Sequence, residues 1–178
     1  VASTFKEVAV SMGGVFAAGQ LKAFAGDAIA LADAYGQMAE RIQMATPIAD
    51  EYAMVQQRIL ESANLTYRPL QEQQELYIRT ADALRSLAYS TTEALDITDS
   101  FSYLLTTNAA STERAASAIS AYSKAIQTGK VDSDAWQSIM AATPTIVNAI
   151  ATATGKTAES IRQMGITGNL ALRDLNEG

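Results

Sequence analysis

The chain has 178 residues, 48% of them hydrophobic, and a formal net charge of -6. It contains neither cysteine nor histidine, which excludes disulfides, zinc–thiolate centres and thiol nucleophiles, and removes the commonest general base and metal ligand. The charge is evenly spread, with seven basic and ten acidic residues through Tyr89 and six and nine after it, so no basic patch points to specific nucleic-acid binding.

Residues 1–45 read as an apolar, glycine-containing leading helix. Its longest uncharged run, Val8 to Leu21, has 14 residues between Lys6-Glu7 and Lys22. A spanning helix needs about 20, so this run predicts a buried or partner-facing helix and no membrane span. Gly13, Gly14, Gly19 and Gly26 would permit close packing against it. Lys6 is cancelled by Glu7 and no cleavage pattern follows, which argues against a signal peptide. The start on Val1 and the stop at Gly178 read as the edges of a fragment of a longer chain.

Residues 46–178 read as helical throughout. Gln37 to Thr128 contains no glycine. Pro47 and Pro69 fit the first turns of new helices, with Thr46 as an N-cap before Pro47. Three apolar stripes follow at intervals of three and four: Tyr77, Ala81, Leu84 and Leu87; Ala94, Ile97, Phe101 and Leu104; Ala115, Ile119, Tyr122 and Ile126. Ser90 with Glu93 makes a capping box. Ser111 with Glu113, Asp132 with Asp134, and Thr157 with Glu159 set an oxygen cap and an anion at a helix N-terminus. Ser90, Ser111 and Asp132 stand 21 residues apart, which predicts helices of about 15 to 18 residues joined by short turns and packed antiparallel. The segments share little beyond the caps, so the period is one of turns rather than of a sequence repeat. Gly129, Gly155 and Gly165 read as helix stops. Trp136 reads as a core anchor, with Ile139 and Met140 on its side of the helix. Ile146, Val147 and Ile150 face it across a turn at Thr143.

The candidate chemistry is thin. The carboxylate pairs Asp50/Glu51, Asp96/Asp99 and Asp132/Asp134 would serve a glycosidase only if two faced each other across a cleft with one in an apolar setting; as caps and solvated faces they need no such role. Asp132-Ser133-Asp134 lacks the later ligands and the glycine of a calcium loop. Lys124 and Lys156 lie near serines without the Ser-x-x-Lys spacing of a nucleophile pair. No glycine loop for phosphate is present. Expected catalytic, cofactor-binding and metal-ligating residues are therefore none, and the residues themselves point to a helical interaction or structural module.

The string AIQTGKVDSDAWQSIMAATPTIVNAIATATGKTAESIRQMGITGNLALRDL resembles the N-terminal domain of bacteriophage tail tape measure proteins. The likeness rests on Gly129-Lys130-Val131, Asp134-Ala135-Trp136, Pro144, the alanine-rich Ala149 to Ala153, Gly155-Lys156-Thr157, a short helix ending at Met164-Gly165, and a last capped segment from Thr167 to Leu172. Upstream, Tyr77, Ala83-Leu84-Arg85, Ser90–Thr92 and the run from Gly19 through Ala28 to Arg41 are also similar. Gly165-Ile166-Thr167-Gly168 departs from the more usual charged glycine turn. The resemblance implies a tape-measure-type domain over residues 46–178. Its parent chain would lie inside the growing tail tube, set the tube's length, and be expelled ahead of the DNA on infection. It implies no enzymatic activity and no cofactor. The implied partners are tail tube, tail tip and tail assembly chaperone proteins and further copies of itself, with membrane contact at ejection. The implied locations are the virion tail interior and, during assembly, the host cytoplasm. The competing expectation is a non-enzymatic secreted effector or adaptor domain, which would share the caps and the absence of histidine.

Overall fold

The computed structural model describes residues 36–178; the leading segment expected over residues 1–45 lies mostly outside them. Residues 36–45 are helical, and from Arg41 onward the chain forms one compact unit. A 3-10 turn, Ala49–Glu51, leads into α1 (Tyr52–Thr66), α2 (Leu70–Ser86), α3 (Thr91–Thr107), α4 (Thr112–Thr128), α5 (Ser133–Ala142), α6 (Ile146–Thr154), α7 (Ala158–Ile166) and α8 (Leu172–Glu177). No strand occurs among the described residues, and the expected all-α class holds.

The starts follow the sequence closely. Ser90 accepts from the Glu93 amide while the Glu93 carboxylate accepts from the Ser90 amide at 2.7 Å, closing the capping box. Ser111, Asp132 and Thr157 accept from the amides of Arg114, Ala135 and Ser160. Each satisfies a donor that the helix leaves orphaned. The first cap expected does not form. Thr46 is buried, and its hydroxyl is 3.1 Å from the Tyr77 hydroxyl. Pro47 lies before the 3-10 turn. Pro69 is the N-cap residue of α2 rather than part of its first turn.

The stops share one device. After α1, α2, α3, α4, α6 and α7 a residue in the left-handed region is followed by an amide that reaches back five residues. These bonds run from Arg68 to Ala63, Tyr89 to Leu84, Ala110 to Leu105, Lys130 to Ala125, Lys156 to Ala151 and Asn169 to Met164. This is the Schellman closure, for which glycine is best suited. Gly129, Gly155 and Gly168 fill the position in the second half, but Tyr67, Ala88 and Ala109 fill it in the glycine-free block. The expectation that Gly165 is a stop is thereby corrected: it lies inside α7, and Gly168 ends the turn. Leu87 falls beyond the end of α2 and is exposed, so it leaves the first stripe. In α3 the buried line runs through Ala94, Leu95, Thr98, Phe101, Ser102 and Leu105, with Ile97 and Leu104 at its edge. After Asp132 the helices shorten to 10, 9, 9 and 6 residues, below the expected 15 to 18. The last, α8, starts at Ala171 with no side-chain cap.

The apolar core gathers the inner faces of α2 through α8. α4 packs on α2 and on α5, α5 on α7, and α6 on both α7 and α8. Phe101 of α3 stacks on Tyr122 of α4, ring centroids 4.8 Å apart and planes within 14°, a favoured offset aromatic pair. The Tyr122 hydroxyl donates to Asn176 Oδ1 at 2.9 Å, tying α8 to the centre. Its burial pushes the phenol upward, so it remains a neutral donor. α1 packs on α2 and α3 but contributes nothing to this apolar cluster.

Candidate functional site

Each carboxylate pair is absorbed into local structure. Arg58 of α1 spans both members of Asp96/Asp99 on α3, donating from Nη2 to Asp96 at 2.7 Å and from Nε to Asp99 at 2.6 Å. The two carboxylates hold the guanidinium above its ordinary range, Asp99 more strongly. Glu51 accepts from the Thr91 hydroxyl at 2.5 Å, while Asp50 is exposed. Asp132 caps α5 and lies 3.4 Å from the Lys124 ammonium. The Ala135 amide, with help from Lys124, holds its carboxyl below the usual range. Lys156 pairs with Asp174 at 2.9 Å. Among the described residues no group of three or more acidic side chains is placed to hold a metal.

The centre of the C-terminal half is Trp136. It is fully buried, in agreement with its reading as a core anchor, and Ile139 is buried on the same helix while Met140 is only partly so. Ile146, Val147 and Ile150, expected across Thr143, are buried in the same apolar cluster as Trp136. α5 makes its main contacts with α4 and α7, while α6 packs on α7 and α8. The indole lies against Gly165 of α7 so closely that a Cβ there would stand 2.3 Å from both Cε2 and Nε1. Glycine is needed at this point for approach, not for backbone freedom. The indole N–H has no acceptor among the described residues.

Two shallow grooves mark the surface. One, between α1 and α3, is lined by Arg58, Ser62, Leu65, Asp96, Asp99 and Tyr103. The other runs between α4 and α5 past Ser117, Ser120, Ala121, Lys124, Asp134 and Ala135. Exposed apolar side chains concentrate on and around α1: Met44, Ile48, Met54, Leu60, Leu65 and Tyr67. Such a surface suits contact with other protein chains through apolar packing and ion pairs.

Sequence reasoning missed three features: the Arg58 bridge, the Trp136–Gly165 contact, and a polar seam between α1 and its neighbours. Of these only the bridge left a trace in sequence, the three-residue spacing of Asp96 and Asp99, which puts both on one helical face. A family model described as "Tape measure protein" matches residues 26–178 of the chain. No curated protein and no solved structure matches it.

Proposed function

The chain belongs to the tape measure protein family, whose members are structural components of phage tails, and from that premise we propose that it is a non-enzymatic domain of a longer tail-length-setting chain. The domain associates through helix–helix packing with tube, tip and chaperone proteins and with further copies of itself. It resides in the tail tube interior after assembly in the host cytoplasm, leaves at genome ejection, touching the membrane as it does so, and binds no specific nucleic-acid sequence. The observation that carries this reading is the family match over residues 26–178. The all-α body supports it, with Glu93 and Asp132 engaged in helix caps and Asp96, Asp99 and Asp174 in ion pairs.

The test is made in a phage encoding this chain. An in-frame helical insertion of about 60 residues outside the domain should lengthen the tail by about 90 Å, at about 1.5 Å per residue, as measured by electron microscopy. Tails of unchanged length would overturn the length-setting role. Deletion of residues 41–178 should abolish or misregulate tail assembly; normal tails would remove this domain from the process.

A further inference from the structure

The seam that joins α1 to α2 and α3 is built from the wrong material for a permanent contact. The three helices bury Ser62 and Thr66 of α1, Gln73 and Gln74 of α2, and Thr98 and Ser102 of α3. Several are bonded across the seam. Ser102 Oγ donates to Gln73 Oε1 at 2.5 Å, Gln73 Nε2 to Thr66 Oγ1 at 3.4 Å, and Thr106 Oγ1 to the Thr66 carbonyl at 3.1 Å. Others are not: among the described residues Ser62 Oγ and Gln74 Oε1 find no partner. A polar group bonded across a seam in the closed state regains water when the seam opens, so the net gain from closing is small. One left unpartnered is relieved by opening.

The apolar contribution stands apart from the main core: Tyr77, Ala81 and Leu95 of α2 and α3 are buried outside the main cluster, as are the apolar side chains of residues 41–66. Over residues 41–66 the buried hydrophobic side chains are Ile42, Ala45, Val55, Ile59 and Ala63, and none belongs to the cluster that unites α2 through α8. Over residues 112–142 they include Ile119, Tyr122, Ile126, Val131, Trp136 and Ile139. Polar contacts among the described residues also fasten residues 41–66 from outside the seam: Arg41 to Glu75, Arg58 to Asp96 and Asp99, the Arg85 guanidinium to the Ala45 carbonyl at 2.7 Å, Thr46 with Tyr77, and Thr91 to Glu51. Arg41 and Arg58 are about two-fifths exposed, where ion pairs hold weakly and salt weakens them further.

We infer that residues 41–66 form a releasable strap, which undocks as a unit through the polar seam while α2 to α8 stay folded. The strap precedes α2 in the chain, so its release leaves the cluster of α2 to α8 folded. Cooperative partial opening of this kind occurs where apolar contact is sparse and polar contact abundant.

Native-state hydrogen exchange on the 178-residue chain, across a series of low urea concentrations, tests this directly. The amides of α1 should exchange together, at least about tenfold faster than those of α4 and α5, and merge with the global opening only near the unfolding midpoint. Amides of α1 protected as strongly as those of α4 at every urea concentration would overturn the proposal. Arg58→Ala should speed α1 exchange by about two- to tenfold and leave α4 and α5 unchanged. Equal acceleration in both would mean that α1 opens only with the whole body, which also overturns it. Gln74→Leu, which replaces an unsatisfied seam group with an apolar one, should slow α1 exchange selectively. If it speeds α1 exchange, the seam is not the weak point.

Discussion

Replacing Gly165 with alanine separates local helix preference from tertiary contact in a single atom. In an ordinary helix interior the change stabilises by about 1 kcal/mol, because alanine restricts the unfolded chain and glycine does not. In α7 the added Cβ lands 2.3 Å from Trp136 Cε2 and Nε1 and 2.4 Å from Cδ2, more than about 1 Å inside favourable carbon contact. The clash cannot be relieved by swinging a flexible side-chain end. The ring is rigid, fully buried, and carried by a helix that packs on α4. Overpacking of this kind costs about 1–3 kcal/mol, and the rigid ring places it near the upper end. The net expectation is a loss of about 2 kcal/mol, read as a lower urea midpoint by far-ultraviolet circular dichroism. The control is the same change in a Trp136→Leu background, where the ring is gone. There Gly165→Ala should be neutral or mildly stabilising, giving a coupling of about 2–3 kcal/mol. A Gly165→Ala protein as stable as the parent with Trp136 in place would refute the reasoning.

Three further outcomes follow from the same geometry. Trp136 fluorescence should be blue-shifted and insensitive to iodide in the native state, and Trp136→Ala should cost about 3–5 kcal/mol; red, readily quenched emission would place the ring at the surface. Asp132→Ala should cost about 0.5–2 kcal/mol through loss of the α5 cap, with calcium leaving the melting temperature of the parent unchanged; a calcium-dependent rise in the parent alone would make the aspartate a ligand. Glu75 is held below the usual carboxylate range chiefly by its hydrogen bond from Arg41, with Arg79 adding to it. A depressed folded value means that its stabilisation is present above the ordinary value of 4.5 and lost as pH falls through the lower folded one. Glu75→Gln should therefore lower stability above pH of about 6, where the carboxylate's contribution is complete, and change little at low pH where the carboxyl is protonated, so that the acid limb flattens; an unchanged acid limb would remove this pair from the account.

Helix starts were legible in sequence because a cap is a local bond. Ser90, Ser111, Asp132 and Thr157 each accept from an amide three residues on, and no distant residue needs to be known. Stops were legible only where glycine marked them. Tyr67, Ala88 and Ala109 adopt the same left-handed turn without a compositional mark, since the five-residue closing bond and the surrounding packing hold them there. Thr46 shows the limit from the other side: a good cap by residue type, it spends its hydroxyl on Tyr77, 31 residues away.

The all-α class and the four side-chain caps at Ser90, Ser111, Asp132 and Thr157 were thus determined by sequence alone, because each depends on residue type and on neighbours within one or two turns. Which helices meet was decided only in three dimensions. Nothing in the spacing of Trp136 says that it rests on Gly165. Nothing in the pattern of α1 says that its buried Val55 and Ile59 lie outside the main apolar cluster, or that Thr66 meets Gln73 of α2. Periodicity reports that a face is buried but not against what, and the partner sets both the tolerance for an added methyl group and the ease with which a helix can leave.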